Sequence, residues 1–154
     1  MKFNSIDMAA HIARLCVKHN FSYNNTKIQK LLYCCYGCVL AKYGERLCDE
    51  YPRAWQYGPV FPRVFNFIHK KRNLMERDPL PIELELNNFL DEVIKTFGKY
   101  NAVPLSNWTH KEGSPWDTVV NKMGEGLNGF IPDDIVEEYF KTNVLVPLEE
   151  NNAN

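Results

Sequence analysis

The chain has 154 residues, of which 45% are hydrophobic and 24% charged, ordinary globular values that exclude a wholly disordered or low-complexity protein. Its formal net charge of −1 offers no global pull toward nucleic acid or an anionic membrane, but the total hides a split. Residues 1–77 hold 13 of the 18 Lys and Arg against five acids, a local +8, and residues 78–154 carry −9; halves of opposite sign either fold against each other or leave a basic surface for an acidic partner.

The first expected helix runs from about Ile6 to His19, where Ile6, Ala9, Ala10, Ala13, Cys16 and Val17 recur at three- and four-residue steps. Ser5 is its expected N-cap, with Asp7 in the first turn. The second carries Ile28, Leu31, Leu32, Cys35, Cys38 and Val39 on one stripe, with Thr26 and Gln29 at capping-box spacing and Gly44 as its stop. Almost every non-basic residue in it is apolar or aromatic, which makes it the expected central helix of the core.

Beyond Gly44, Arg46-Leu47-Cys48 and Arg53–Tyr57 read as the two strands of a small hairpin over about residues 46–57, which Gly58-Pro59 ends. Pro62 suits the first turn of a third helix through Phe61, Val64, Phe65 and Ile68. A polar connector around Lys70-Lys71-Arg72 leads to a fourth helix, about Ile82 to Tyr100. Two short helical turns follow, Leu105–Lys111 and Pro115–Val120, with Ser106 and Ser114 as expected caps. Gly124, Gly126 and Gly129 mark a mobile loop, and a last helix starts near Pro132. Val144-Leu145-Val146 is an expected third strand, near 144–147. The fold class is therefore mainly α, a compact helical bundle with a small antiparallel hairpin, as one domain over 1–148 with a frayed tail at 149–154.

Cys34, Cys35, Cys38 and Cys48 raise a metal site, but three of them lie within one helix and no second Cys or His pair follows at zinc spacing. Core packing is the favoured reading for them, and neither a metal nor another cofactor is expected. Five cysteines are an odd number, the start Met1-Lys2-Phe3-Asn4-Ser5 lacks an apolar signal core, and no window approaches a membrane span. A cytoplasmic protein with reduced thiols is expected.

His110, with Glu112 or Asp117 near it, is the one focus for an enzyme reading, a small hydrolase or transferase. The sequence carries no nucleophile elbow, no His-Glu-x-x-His and no phosphate-binding glycine loop. Three clusters stand out instead: Ala54–Pro62, Leu105–His110 and Ser114-Pro115-Trp116. They supply aromatic residues suited to a core or to a partner-binding hot spot.

Those clusters, with Lys27-Ile-Gln-Lys-Leu-Leu-Tyr33 before them and Ile131-Pro-Asp-Asp-Ile135 after them, resemble the Panacea domain, a family that includes SocA-type antitoxins and GepA-type phage-associated proteins. The resemblance spans residues 5 to 142. It implies a bacterial or phage antitoxin that binds a cognate toxin protein without covalent chemistry, with delivery of the toxin to a protease as an added role. Not an enzyme, the chain would use Tyr57, Phe61, Trp108, His110 and Trp116 as candidate partner contacts. Lys27, Gln29, Lys30, Leu31, Leu32, Trp55, Gly58 and Pro59 would be architectural, with Leu31, Leu32 and Trp55 filling the core. No separate basic helix-turn-helix is evident, which argues against direct nucleic-acid binding; a homodimer is left open, and a phage structural or host-interaction protein is a further alternative.

Overall fold

A computed structural model describes residues 2–152. The first helix, α1 (Ser5–Lys18), is capped by Asn4, whose side chain accepts from the N–H groups of Ile6 and Asp7. Ser5, the expected cap, is instead the first helical residue. Asp7 stays in the first turn and accepts from Arg77 Nε at 2.7 Å.

α2 (Asn25–Tyr43) is the axis of the molecule. Every residue from Lys27 to Ala41 is buried, on all faces of the helix, because α1, α4, α5, α7 and the hairpin surround it. An all-round apolar helix has no other stable place than a core. Its cap is Asn24, which accepts from Lys27 N, and it closes on Gly44 at φ +68°. Thr26 and Gln29 have capping-box spacing without forming one; the Gln29 amide is used elsewhere. Gly37 admits the Phe140 ring so closely that a Cβ there would lie 2.5 Å from it. Around that contact, Tyr33 meets Phe140 edge-on at 5.3 Å and Tyr36 packs on Phe61 at 5.5 Å.

The hairpin exists but sits further along the chain than expected. β1 (Arg53–Trp55) pairs antiparallel with β2 (Gly58–Val60), in the register Arg53↔Val60, Ala54↔Pro59, Trp55↔Gly58, around a Gln56-Tyr57 turn. Gly58 and Pro59 therefore build a strand rather than end one. Arg46-Leu47-Cys48 joins no hairpin, since Cys48 bridges in parallel with Phe3. Its extended segment finds its partner at the chain's start instead.

α3 (Pro62–His69) begins at its proline, as expected. Glu50 accepts from Arg63 N at 2.7 Å in its first turn, where a carboxylate suits the helix dipole. A 3₁₀ turn (Leu74–Glu76) leads to α4 (Leu84–Phe97), which buries Leu86, Phe89, Leu90, Val93 and Ile94 against α1 and α2. α5 (Ala102–Thr109) and α6 (Pro115–Asp117) follow, the latter continued by a π turn (Thr118–Lys122). Ser114 caps α6 by accepting from Asp117 N, while Asp117 accepts in turn from Gly113 N at 2.9 Å.

α7 (Asp133–Phe140) runs through a π turn (Lys141–Leu145) into α8 (Val146–Asn152). The expected strand at 144–147 is helical: Val144, Leu145 and Leu148 are buried while Val146 is exposed, so what reads as a β run is one buried helical face. The expected frayed tail, 149–154, is helical through Asn152, and residues 153 and 154 lie outside the described residues. The hairpin does gain a third segment, from the glycine loop, where Phe130 bridges antiparallel to Arg53.

Candidate functional site

Three motif segments meet at the hairpin. In its register the main-chain groups of Tyr57, Pro59 and Phe61 point away from β1, and no strand covers them. Side chains do so instead. Ser106 Oγ donates to Tyr57 O at 2.5 Å, and Lys30 Nζ donates to Pro59 O at 2.9 Å. Gln29 closes both groups of Phe61, accepting from its N–H at 2.8 Å and donating to its carbonyl at 3.4 Å. Proline fits position 59 because its missing N–H falls on the side where no acceptor waits.

Burial makes these bonds matter. Gln29 and Lys30 are each 1% exposed, and a buried polar group without a partner costs about 1–3 kcal/mol. Burial pushes the Lys30 ammonium down to about 8. Gly58 adopts φ +116°, and a Cβ on it would stand 2.5 Å from Thr109 Oγ1, so α5 can press on the strand only where the residue is glycine. Thr109 is itself oriented by donating to Ser106 O at 2.7 Å.

Over this seat, Trp55, Tyr57, Val60 and Phe65 wall a cleft of about 310 Å³ floored by Gln29 and Lys30. Phe65 meets Trp55 edge-on at 5.1 Å and stacks on His69 at 5.4 Å. The cleft is apolar-walled with a cationic floor, and Tyr57, 66% exposed, stands at its rim on the two-residue turn.

The expected contact residues separate. Tyr57 is at the surface. Phe61 is fully buried against Tyr36, so it offers nothing to a partner. Trp108 is half-buried between Phe97 and Phe140, and Trp116 is half-buried with its indole N–H donating to Trp55 O at 2.7 Å. His110 packs edge-on to Trp116 at 5.3 Å. Its Nδ1 lies 2.6 Å from Ser106 O and, facing a carbonyl, must carry the proton. Asp117, proposed as its acid partner, accepts from Gly113 N and from Asn121 Nδ2 at 2.6 Å.

Leu31 and Leu32 are core residues, as expected. Trp55 is not: it is half-buried at the cleft, with Nε1 donating to Asn128 Oδ1 at 3.2 Å. Lys27 is buried, its ammonium 5.6 Å over the Phe21 ring. Cys34, Cys35, Cys38 and Cys48 are all buried, and burial pushes the thiols of Cys34 and Cys48 up to about 12. Among the described residues no group of three or more His, Cys, Asp or Glu is placed to hold a metal, and no helix is long and apolar enough to cross a membrane.

Sequence reading missed Ser106 and Asn128. Ser106 looked like a cap, and its strand-holding role has no local signal. Asn128 lay in a presumed mobile loop, and its φ of +72° is available to asparagine more readily than to most residues.

Comparison with known proteins matches residues 28–117 to the family model described as "Antitoxin SocA-like, Panacea domain". The chain is also 28% identical, over 144 residues, to Antitoxin SocA of Caulobacter vibrioides (strain NA1000 / CB15N), an alignment covering 80% of this chain and 77% of that protein. No solved structure matches.

Proposed function

The chain belongs to the SocA-like Panacea domain family of antitoxins, and on that premise we propose that it neutralises a cognate toxin protein by direct, non-covalent binding at the hairpin cleft. The observation that carries the reading is Tyr57: a large amphipathic ring left 66% exposed, held by a two-residue turn whose flanking strand is clamped from α2 and α5. A stiff aromatic in a fixed position loses little freedom on binding, which is the property of an interface anchor. Trp55 and Phe65 beside it widen the apolar area, and a standard interface of about 1,600 Å² centred there would make a stable complex. Passing the bound toxin to a protease would use the same surface.

The test is co-expression with the protein encoded by the neighbouring reading frame. The expected result is that this protein arrests growth alone, is harmless when co-expressed, and co-purifies with the chain. Tyr57→Ala should weaken the complex by about tenfold or more while leaving the melting temperature unchanged. A harmless neighbour with no co-purifying protein would refute the reading, and an unaffected complex in Tyr57→Ala would move the interface away from the cleft.

A further inference from the structure

On the opposite edge of the hairpin, two rings in contact lie between two guanidiniums. The Arg46 guanidinium lies 3.9 Å from the Tyr51 ring centre, Tyr51 meets Phe130 edge-on at 5.9 Å, and the Arg53 guanidinium lies 4.0 Å from the Phe130 ring. Arg46 also donates to Tyr51 Oη and, through Nε at 3.1 Å, to Asp133. Arg53 Nη1 donates to Asn128 O at 2.9 Å. Both guanidiniums are thereby held flat, a geometry that pre-organises their remaining N–H donors.

The loop that supplies Phe130 is not slack. Ala54 N donates to Gly129 O at 2.9 Å, Asn128 N to Ala54 O at 2.7 Å, and Ile131 N to Pro52 O at 3.0 Å. Gly124, Gly126 and Asn128 all take positive φ, near +70°, which curls the loop back onto β1. This ordered loop holds two large apolar side chains in the open, Leu127 and Phe130, each 54% exposed, and Tyr51, just before β1, is 40% exposed. Clustered exposed apolar side chains on a fixed backbone mark an interaction surface rather than a loop tip.

We infer that the Arg46–Tyr51–Phe130–Arg53 ladder docks an acidic segment of a partner protein, its carboxylates on the guanidiniums and its apolar side chains on Phe130 and Leu127. The inference rests on the reading of the chain as a protein-binding antitoxin and adds a second contact region with a stated partner chemistry. Charge complementarity selects the occupant. Both arginines belong to the half of the chain that carries +8. A second copy docked by two-fold symmetry would set arginine against arginine. A nucleic acid would run an unbroken row of phosphates past Glu125 on the same loop and Asp133 beside Arg46, whereas a peptide can set its carboxylates on the guanidiniums alone and its apolar side chains on Phe130.

The test measures binding of the full chain to the co-expressed neighbour protein by calorimetry at about 50 and 300 mM salt. Phe130→Ser is expected to raise Kd about tenfold or more with an unchanged melting temperature, and Arg53→Glu, which also removes the bond to Asn128 O, to raise it likewise and to flatten the salt dependence. Leu127→Ser, which breaks none of the loop's hydrogen bonds, is the second variant and should weaken binding in the same direction. Unchanged affinity in Phe130→Ser and Leu127→Ser, with Tyr57→Ala impaired, would overturn the ladder and leave the cleft reading standing. No complex with the unaltered chain would remove both. Self-association abolished by Phe130→Ser, or binding of labelled single-stranded DNA, would assign the ladder another occupant and overturn the inference.

Discussion

Along β2 the outward main-chain groups meet side chains, from Gln29, Lys30 and Ser106. Along β1 they meet main chain, from residues 128–131. The first edge is buried and built from residues of the recognisable motifs; the second is half-open and built from a loop without one. Side-chain clamps depend on residue identity, because only an amide can serve both groups of Phe61 and only a long cation reaches Pro59 O from α2. Main-chain pairing tolerates almost any residue, so the side chains of the second edge are free to meet a partner. The motifs thus report what seats the hairpin, and the loop of residues 124–131 leaves its side chains free for the contact proposed above.

The largest expected effect lies on the clamped edge. Gly58→Ala adds a Cβ into Thr109 Oγ1 at a φ that disfavours any side chain, and should cost about 3 kcal/mol or more in urea unfolding. A cost below 1 kcal/mol would show that α5 does not depend on the close approach. Gln29→Leu leaves the Phe61 N–H unpaired in a buried site, the carbonyl keeping its bond from Phe65 N, and should cost about 1–3 kcal/mol, read as a lower denaturation midpoint at constant slope.

Lys30 should announce itself through pH. Burial holds it at about 8, against 10.5 when exposed. Between those values the unfolded chain binds more protons, so its contribution makes stability rise with pH. The buried thiols of Cys34 and Cys48 act oppositely: at about 12 in the fold against 9.0 unfolded, they make stability fall as pH passes 9. A stability maximum between about pH 8 and 9 is expected, with the rise into it worth about 1 kcal/mol. Lys30→Met should lose the rise and keep the fall; a rise that survives would assign it to another group.

The smallest stability effect belongs to the open edge. Phe130→Ser should stay within about 0.5 kcal/mol of the parent chain although it breaks binding. A loss several times larger would mean that the ladder is structural and that the two edges do the same job.

How much was legible follows from the range of each interaction. Helical periodicity marked α1 to α4 and α7, and the buried stripe of α2 announced the centre, because a helix reports its face every three or four residues. Gly44 and Ser114 were read from local chemistry alone. The caps of α1 and α2 were displaced to Asn4 and Asn24, since several polar residues near a helix start compete for one role. The hairpin was misplaced because the short segment Arg46-Leu47-Cys48 was taken as its first strand, whereas Cys48 pairs with Phe3, more than forty residues away. Of the expected contacts, Tyr57 proved exposed and Phe61 buried, a distinction composition cannot make between two aromatics four residues apart.

Residue order by itself specified the mainly helical class and the central helix, both set by local periodicity. Only the assembled fold decided that Gln29 and Lys30 serve a strand, that Trp55 faces a cleft and that Arg46, Tyr51, Arg53 and Phe130 form one surface. These groups are separated by tens of residues, and what brings them together is the burial of α2, which dictates where every other element must lie.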